Sequence, residues 1–427
     1  MSRAESCYNI SMRLAVAANT VSQLMGKVLG AGTAFIISLL LARHFGVAGY
    51  GDFIKVTTYV ALFFLLADFG LNAIYLQRVK DPHAFPTLFG ARLAGGLFLV
   101  FLSLAILSFL PRGESQGYTD VVRLGIILFS PAILFQAVIT TANAVFQKHL
   151  RYDIAAIAIG IGSAVALGTL LLLLQVPVNA PVTGSLALLG GSIVTAAVAL
   201  FGVKRLGQTI TVSFSPARTL PLFFAALPLG LTLLFNLVYG HVDSVILTLT
   251  RDTREVGIYG LAYKVFEVVL VFPTFFMNAV YPVLLRTINN KQEAIHNGFT
   301  GIIKKSFIFL LIVSCLLSVV LWFGAPLLAN VQEGFAGSIG ALRVLSLSLP
   351  FFFVSALVMW TLIALGKQNI LVVVYGSTMV LNIGFNAWLI PVFGYMAAAW
   401  ITVAGEGIVL LLSAAVLARA FPKEDAV

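Results

Sequence analysis

Long apolar runs separated by short polar breaks fill this chain from end to end. Stretches of roughly 20 residues or more, the length a helix needs to cross the hydrocarbon core of a bilayer, lie near 17–43, 48–77, 87–110, 121–146, 153–175, 183–203, 219–249, 257–285, 302–327, 339–365, 369–391 and 394–418. This pattern predicts an all-α integral membrane protein of about twelve transmembrane helices, because only helices and closed barrels satisfy their own backbone in lipid. The connections are short, so no extramembrane domain is expected and any function must lie among the helices.

Composition supports the membrane reading. Hydrophobic residues make up 60% of the chain, charged residues only 10%, and the mean hydropathy is +1.03. A soluble domain carries about a quarter charged residues. The formal net charge of +10 does not point to nucleic acid, since the basic residues are scattered among loops rather than gathered on one polar face. Cys7 and Cys315 are isolated, which implies neither a disulfide framework nor a zinc site. The first sixteen residues hold Arg3, Glu5 and Arg13 and no compact apolar run with a cleavage site, so no removable signal peptide is expected.

Placing the N-terminus in the cytoplasm puts 17 of the 26 basic residues on the inner side and 6 on the outer, leaving Lys27, Lys55 and Lys264 within helices. The positive-inside rule then predicts both termini to be cytoplasmic.

The two halves also resemble each other. VAGYGDFIKV at 47–56 aligns with VGIYGLAYKV at 256–265, matching Tyr50 to Tyr259, Gly51 to Gly260 and Lys55 to Lys264. Arg123 and Arg343 open the fourth and tenth predicted helices in the same way. Two six-helix lobes, residues 1–215 and 216–427, follow from this duplication. Because six is even, they should be related by a pseudo-twofold axis along the membrane normal, with a cargo site expected between them.

Charged and amide side chains inside apolar spans are costly, so they mark a polar path or an internal partner. Asn19, Gln23 and Lys27 stack on one face of the first helix at a spacing of four. Thr232, Asn236 and Asp243 share a face of the seventh, and Gly260, Lys264 and Glu267 a face of the eighth. Asp243 and Lys264 lie at similar depth, which suggests an ion pair, while Lys264 with Glu267 at i,i+3 offers a second. His241 lies off that face. Gln136, Thr140, Asn143 and Gln147 form a further stripe, suited either to hydroxyl-rich cargo or to joining helices. Asp68, before Phe69 and Gly70, reads as a cap or gate, and Glu406 in the last helix as a protonation site. No motif for hydrolysis, group transfer or nucleotide binding is present in the sequence.

LARHFGVAGYGDF at 41–53 and LLADFGLN at 65–72 resemble the opening of bacterial polysaccharide flippases, within the multidrug/oligosaccharidyl-lipid/polysaccharide exporter superfamily. HVDSVIL at 241–247, AVYPVL at 279–284 and NIGFNAWLIPVFGYMAAAW at 382–400 are similar to that family's second-half motifs. The resemblance implies two six-helix lobes in a V around a central cavity. It implies as cargo a polyprenyl-pyrophosphate-linked oligosaccharide, moved from the cytoplasmic to the outer leaflet of the bacterial inner membrane for O-antigen, capsule or exopolysaccharide assembly. Polysaccharide polymerase and glycosyltransferases would be partners, together with membrane lipid.

On that reading Lys27, Lys55 and Lys264 supply charge for the pyrophosphate, and Asn19, Gln23, Gln136, Asn143 and Asn236 bind sugars. Relatives that flip peptidoglycan precursor usually carry two further helices, which disfavours that cargo. No cofactor is expected beyond coupling to H+ or Na+, with Asp243, Glu267 and Glu406 as the carriers. A cation-coupled drug exporter of the same superfamily is the main rival, and a membrane glycosyltransferase or ligase and a scaffold are others.

Overall fold

The computed structural model describes residues 3–77, 83–113, 115–289 and 298–420, with side chains described from Asn19 onward. The side chains of Thr232 and Asn236 lie outside the described residues, as do Arg78, Lys80, Lys291 and Lys423 from the charge comparison. The described residues are helical almost throughout. In chain order the helices are α1 (Arg3–Asp68), α2 (Leu71–Gln77), α3 (Ala84–Phe109), α4 (Asp120–Phe129), α5 (Ala132–His149), α6 (Tyr152–Leu173) and α7 (Ala180–Arg205). They continue as α8 (Pro216–Thr250), α9 (Thr253–Asn289), α10 (Gly298–Gly324), α11 (Ala336–Ser346), α12 (Leu349–Ala364), α13 (Gln368–Phe393) and α14 (Tyr395–Ala420), with a 3-10 turn at Ala325–Asn330.

Ten helices among the described residues are long and apolar enough to cross a membrane, and α11 with α12, bent by 40°, makes an eleventh span. The fifty-residue stretch Asn19–Asp68 counts there as one. Gly46, at φ 70° and ψ −174°, breaks it into two arms and so restores the twelve spans read from the sequence. The chain thus crosses a membrane many times.

Two segments depart from the predicted boundaries for local reasons. Where the sequence suggests separate helices at 17–43 and 48–77, one glycine with left-handed backbone replaces a loop. The second arm then stops at Asp68 rather than near 77, because Phe69 (φ 43°) and Gly70 (φ 71°) both turn left-handed before α2 begins. The predicted span 121–146 is likewise α4 plus α5, separated at Ser130 and Pro131. Pro131 has no N–H for the helical ladder, and the Ser130 hydroxyl bonds back to the Ile126 carbonyl at 2.7 Å.

The residues gather into two compact units. The first holds 1–45, 52–114 and 118–237, and the second 46–51, 115–117 and 238–427. In the first unit, α6 and α7 touch through small residues: a Cβ on Gly162 would lie 2.7 Å from the Gly191 carbonyl oxygen, and one on Gly191 would lie 2.8 Å from that of Gly162. Membrane helices without a hydrophobic force between them associate through such close backbone approach. In the second unit, segment 115–117 ties down the α8–α9 turn, with Gly117 N–H on the Thr248 carbonyl and Thr253 N–H on the Ser115 carbonyl, both at 2.9 Å.

Two arginines paired by the sequence repeat make similar contacts, each within its own unit. Arg123 donates from Nη2 to the carbonyl of Leu110, which caps α3, at 2.6 Å. Arg343 donates from Nε to the Trp322 carbonyl in the last turn of α10 at 3.3 Å and lies over the Trp322 ring. Each arginine satisfies carbonyls that the preceding helix leaves unpaired. Tyr50 and Tyr259, also matched by the repeat, both lie in the second unit and are fully buried.

Candidate functional site

Four helices of the second unit each place two polar side chains one turn apart: Tyr239 and Asp243 on α8, Tyr259 and Tyr263 on α9, Asn382 and Asn386 on α13, Thr402 and Glu406 on α14. A spacing of four puts each pair on one face. Asp243 and Glu406 are only 5% and 4% exposed. Neither carboxylate is paired with a lysine or arginine among the described residues.

Hydroxyl and amide groups take that place. The Tyr259 hydroxyl donates a short hydrogen bond to Asp243 Oδ2, and the Ser244 N–H donates to Oδ1 at 2.6 Å. Ser355, on α12, donates to Glu406 Oε2 at 3.3 Å. The buried Tyr239 hydroxyl lies close enough to Glu406 to interact with it, but its geometry falls short of a hydrogen bond. Tyr263 donates to the Gly240 carbonyl at 3.0 Å. Asn386 Nδ2 donates to Asn382 Oδ1 at 2.9 Å, while Asn386 Oδ1 has no partner among the described residues.

A cavity of about 20 Å³ opens among Tyr239, Gly240, Asp243, Tyr263, Asn382 and Thr402. That is room for about one water or a small cation. Carboxylate, amide, hydroxyl and carbonyl oxygens converge there, a donor set of hard ligands suited to a proton or an alkali cation. The described residues hold no cluster of three or more His, Cys, Asp or Glu side chains that would point instead to a transition metal.

Because Tyr259 is the main donor to a buried carboxylate, Tyr259→Phe should cost about 2 kcal/mol of stability. The check is a lower thermal midpoint in detergent, with Tyr281→Phe, which makes no hydrogen bond to a carboxylate among the described residues, as the reference.

Other sequence candidates fall elsewhere. Asp243 does not pair with Lys264, as their similar depth suggests: Lys264 Nζ lies 2.9 Å from Glu267 Oε2, one turn ahead on its own helix. His241 is half-buried beside Asp243 in sequence. In the first unit, Lys55 is buried with its ammonium 3.6 Å from Asp52, one turn before it. Asn19 accepts the Tyr152 N–H at 2.8 Å and so caps the start of α6. Lys27 is exposed, and Gln23, Gln136 and Asn143 are half-buried. Asp68 takes Arg92 Nη2 at 2.7 Å.

The tyrosines, asparagines, Ser355 and Thr402 are the part of the cluster that sequence reading misses. Their signal is the i,i+4 recurrence of polar groups on several spans, visible in NIGFN at 382–386 but silent on which helices adjoin.

Among the described residues the chain is helical almost throughout, with many apolar spans and carboxylates buried within them, which makes it a multi-pass membrane protein. The profile of the polysaccharide biosynthesis protein family matches residues 16–288, well over half of the 427 residues. The chain belongs to that family. A MatE profile matches residues 228–388, and no curated protein matches.

Among solved structures, the chain is similar to the lipid II flippase MurJ in an inward closed conformation, with a TM-score of 0.72, 14% identity, and 94% of this chain and 87% of that one covered. It is equally similar to an inward-facing multidrug resistance MATE family transporter of the MOP superfamily, at 0.72 and 13% identity over 97% and 99%. A MOP superfamily transporter from Pyrococcus furiosus Vc1 gives 0.67 at 12% identity over 95% and 94%. At these identities the likeness is one of fold.

Proposed function

We propose that this protein flips a polyprenyl-pyrophosphate-linked oligosaccharide across the bacterial inner membrane by alternating access, for O-antigen, capsule or exopolysaccharide assembly, with both termini in the cytoplasm. The match of residues 16–288 to a family named for polysaccharide biosynthesis carries this reading. The physics is consistent with it. A sugar and pyrophosphate head cannot cross hydrocarbon without giving up hydrogen bonds worth a few kcal/mol each, so a protein path is required.

Net movement needs an energy source, since binding shifts an equilibrium only by its differential affinity for two states. The Asp243 and Glu406 cluster is the proposed place where H+ or Na+ enters that cycle. Cargo charge is assigned to Lys27 and Lys264, with Lys55 contributing once released from Asp52. Polymerase and glycosyltransferases are the proposed partners.

The test is flipping of a lipid-linked oligosaccharide in vesicles containing the purified chain. Lys27→Ala, Lys55→Ala and Lys264→Ala combined should slow flipping at least tenfold, the equivalent of about 1.4 kcal/mol; an unchanged rate would overturn the assignment of the lysines. A second reading, export of cationic drugs, is favoured by the MatE match over 228–388. A deletion strain separates the two: precursor accumulating in the inner leaflet supports flipping, and drug hypersensitivity with normal glycan supports export.

A further inference from the structure

The first unit contains a buried cation whose hydrogen-bonding capacity is only partly used. Arg92 on α3 is 2% exposed. Its Nη2 donates to Asp68 Oδ1 at 2.7 Å and to the Asp68 carbonyl at 3.2 Å. Nε and Nη1 are buried and meet no acceptor among the described residues. A guanidinium keeps its proton and all its N–H donors, so the unmet ones carry the desolvation cost of a charged group. An oxygen-rich ligand would relieve that cost.

The surroundings indicate what kind of ligand. Arg92 forms part of the wall of a cavity of about 230 Å³ whose other walls include Leu66, Phe69, Leu99, Leu222 and Phe223. Phe98 and Phe223, which border it, are 63% and 45% exposed, giving the cavity an apolar outer edge of the kind acyl chains cover. Leu222 is also a wall of a neighbouring cavity of about 310 Å³. That one is bordered by His83, Thr87 and Arg218, at the starts of α3 and α8. Arg92 sits eight residues into α3, roughly 12 Å deeper at 1.5 Å per residue.

Along this face, then, a basic and hydroxyl-bearing entrance at the helix ends gives way to a buried guanidinium and then to an apolar slot. The same order runs through a glycerophospholipid: phosphate, ester carbonyls, acyl chain. We propose that this face of the first unit binds one anionic glycerophospholipid, with its phosphate near His83 and Arg218, its ester carbonyls accepting from Arg92 and an acyl chain beside Phe98 and Phe223.

Gly95 permits a direct test. It lines the apolar cavity, and a Cβ there meets nothing within 4 Å. Gly95→Leu therefore starts from open space at its Cβ, places its remaining carbons at the wall of the slot and raises helix propensity, so the variant should fold. The purified full-length chain is stripped of lipid in detergent and titrated by native mass spectrometry with phosphatidylglycerol or phosphatidylcholine of the same acyl chains.

The unaltered protein should retain one phosphatidylglycerol at least tenfold more tightly than phosphatidylcholine. Gly95→Leu should lose that retention tenfold while keeping its lipid-free thermal midpoint, and Arg218→Gln should narrow the preference between the two lipids. Equal retention of both lipids, or unchanged phosphatidylglycerol binding by folded Gly95→Leu, overturns the proposal. So does displacement of phosphatidylglycerol by a polyprenyl phosphate at lower concentration with the same dependence on Gly95, which would give the site to the carrier lipid instead.

Discussion

Asp243→Asn will remove gradient-driven transport, lowering the initial rate in vesicles at least tenfold, while movement of cargo down its own gradient continues. Asp243 is buried, is held by Tyr259 and Ser244, and has no lysine or arginine beside it among the described residues. A charge that expensive inside a membrane span persists where a mobile cation or proton can neutralise it. Asparagine keeps one oxygen and almost the same volume, so the fold should survive the loss of the titratable charge and of one of the two hydrogen bonds from Tyr259 and Ser244. The measurement compares initial rates with and without an imposed proton or sodium gradient. A full response in the variant to both gradients would remove Asp243 from the coupling step and leave Glu406 to be tested in the same way.

The largest stability loss should follow Gly51→Ala or Gly257→Ala. A Cβ on Gly51 would lie 2.1 Å from the Thr253 carbonyl oxygen, and one on Gly257 would lie 2.1 Å from that of Val47. Both obstacles are backbone atoms, which cannot rotate aside, so the helical segments must part. Overpacking of this kind costs about 3 kcal/mol. Unfolding in detergent should occur at a markedly lower temperature for either variant. Gly32→Ala, where a Cβ meets open space, should be neutral or stabilising by up to about 1 kcal/mol through helix propensity alone. Equal midpoints for Gly51→Ala and Gly32→Ala would contradict the close approach of these segments.

Both predictions concern positions that the sequence marks, for reasons it does not fully express. Gly51 falls in the repeated VAGYGDFIKV segment, whose counterpart contains Gly257, Tyr259 and Lys264. The sequence repeat pairs Arg123 with Arg343, and each donates to a carbonyl near the end of an earlier helix. Lys55 and Lys264 show where equivalence ends. One is buried and reaches back to Asp52, and the other is partly exposed and reaches forward to Glu267. Their acidic neighbours differ, and neighbours within one turn decide the pairing.

The Asp243 site illustrates the same limit. Depth along a helix can be counted from sequence, and on that count Lys264 is a plausible partner. Which way a side chain points around the axis relative to another helix cannot be counted, and Tyr259, five residues earlier on α9, takes the carboxylate.

Hydrophobic spacing and the rarity of charge determined, without any coordinates, that this chain is helical, crosses a membrane many times and keeps charged groups among its spans. Each of these follows from local pattern, because lipid obliges every span to close its own backbone hydrogen bonds. Only the tertiary structure decided that one glycine at 46 joins the first two spans into a bent helix, that Asp68 and Arg92 are partners, and that Asp243 and Glu406 are held by tyrosine, serine and backbone groups rather than by lysine. These depend on the azimuth and packing of helices far apart in sequence, set by close contacts such as Gly162 with Gly191 that no single segment encodes.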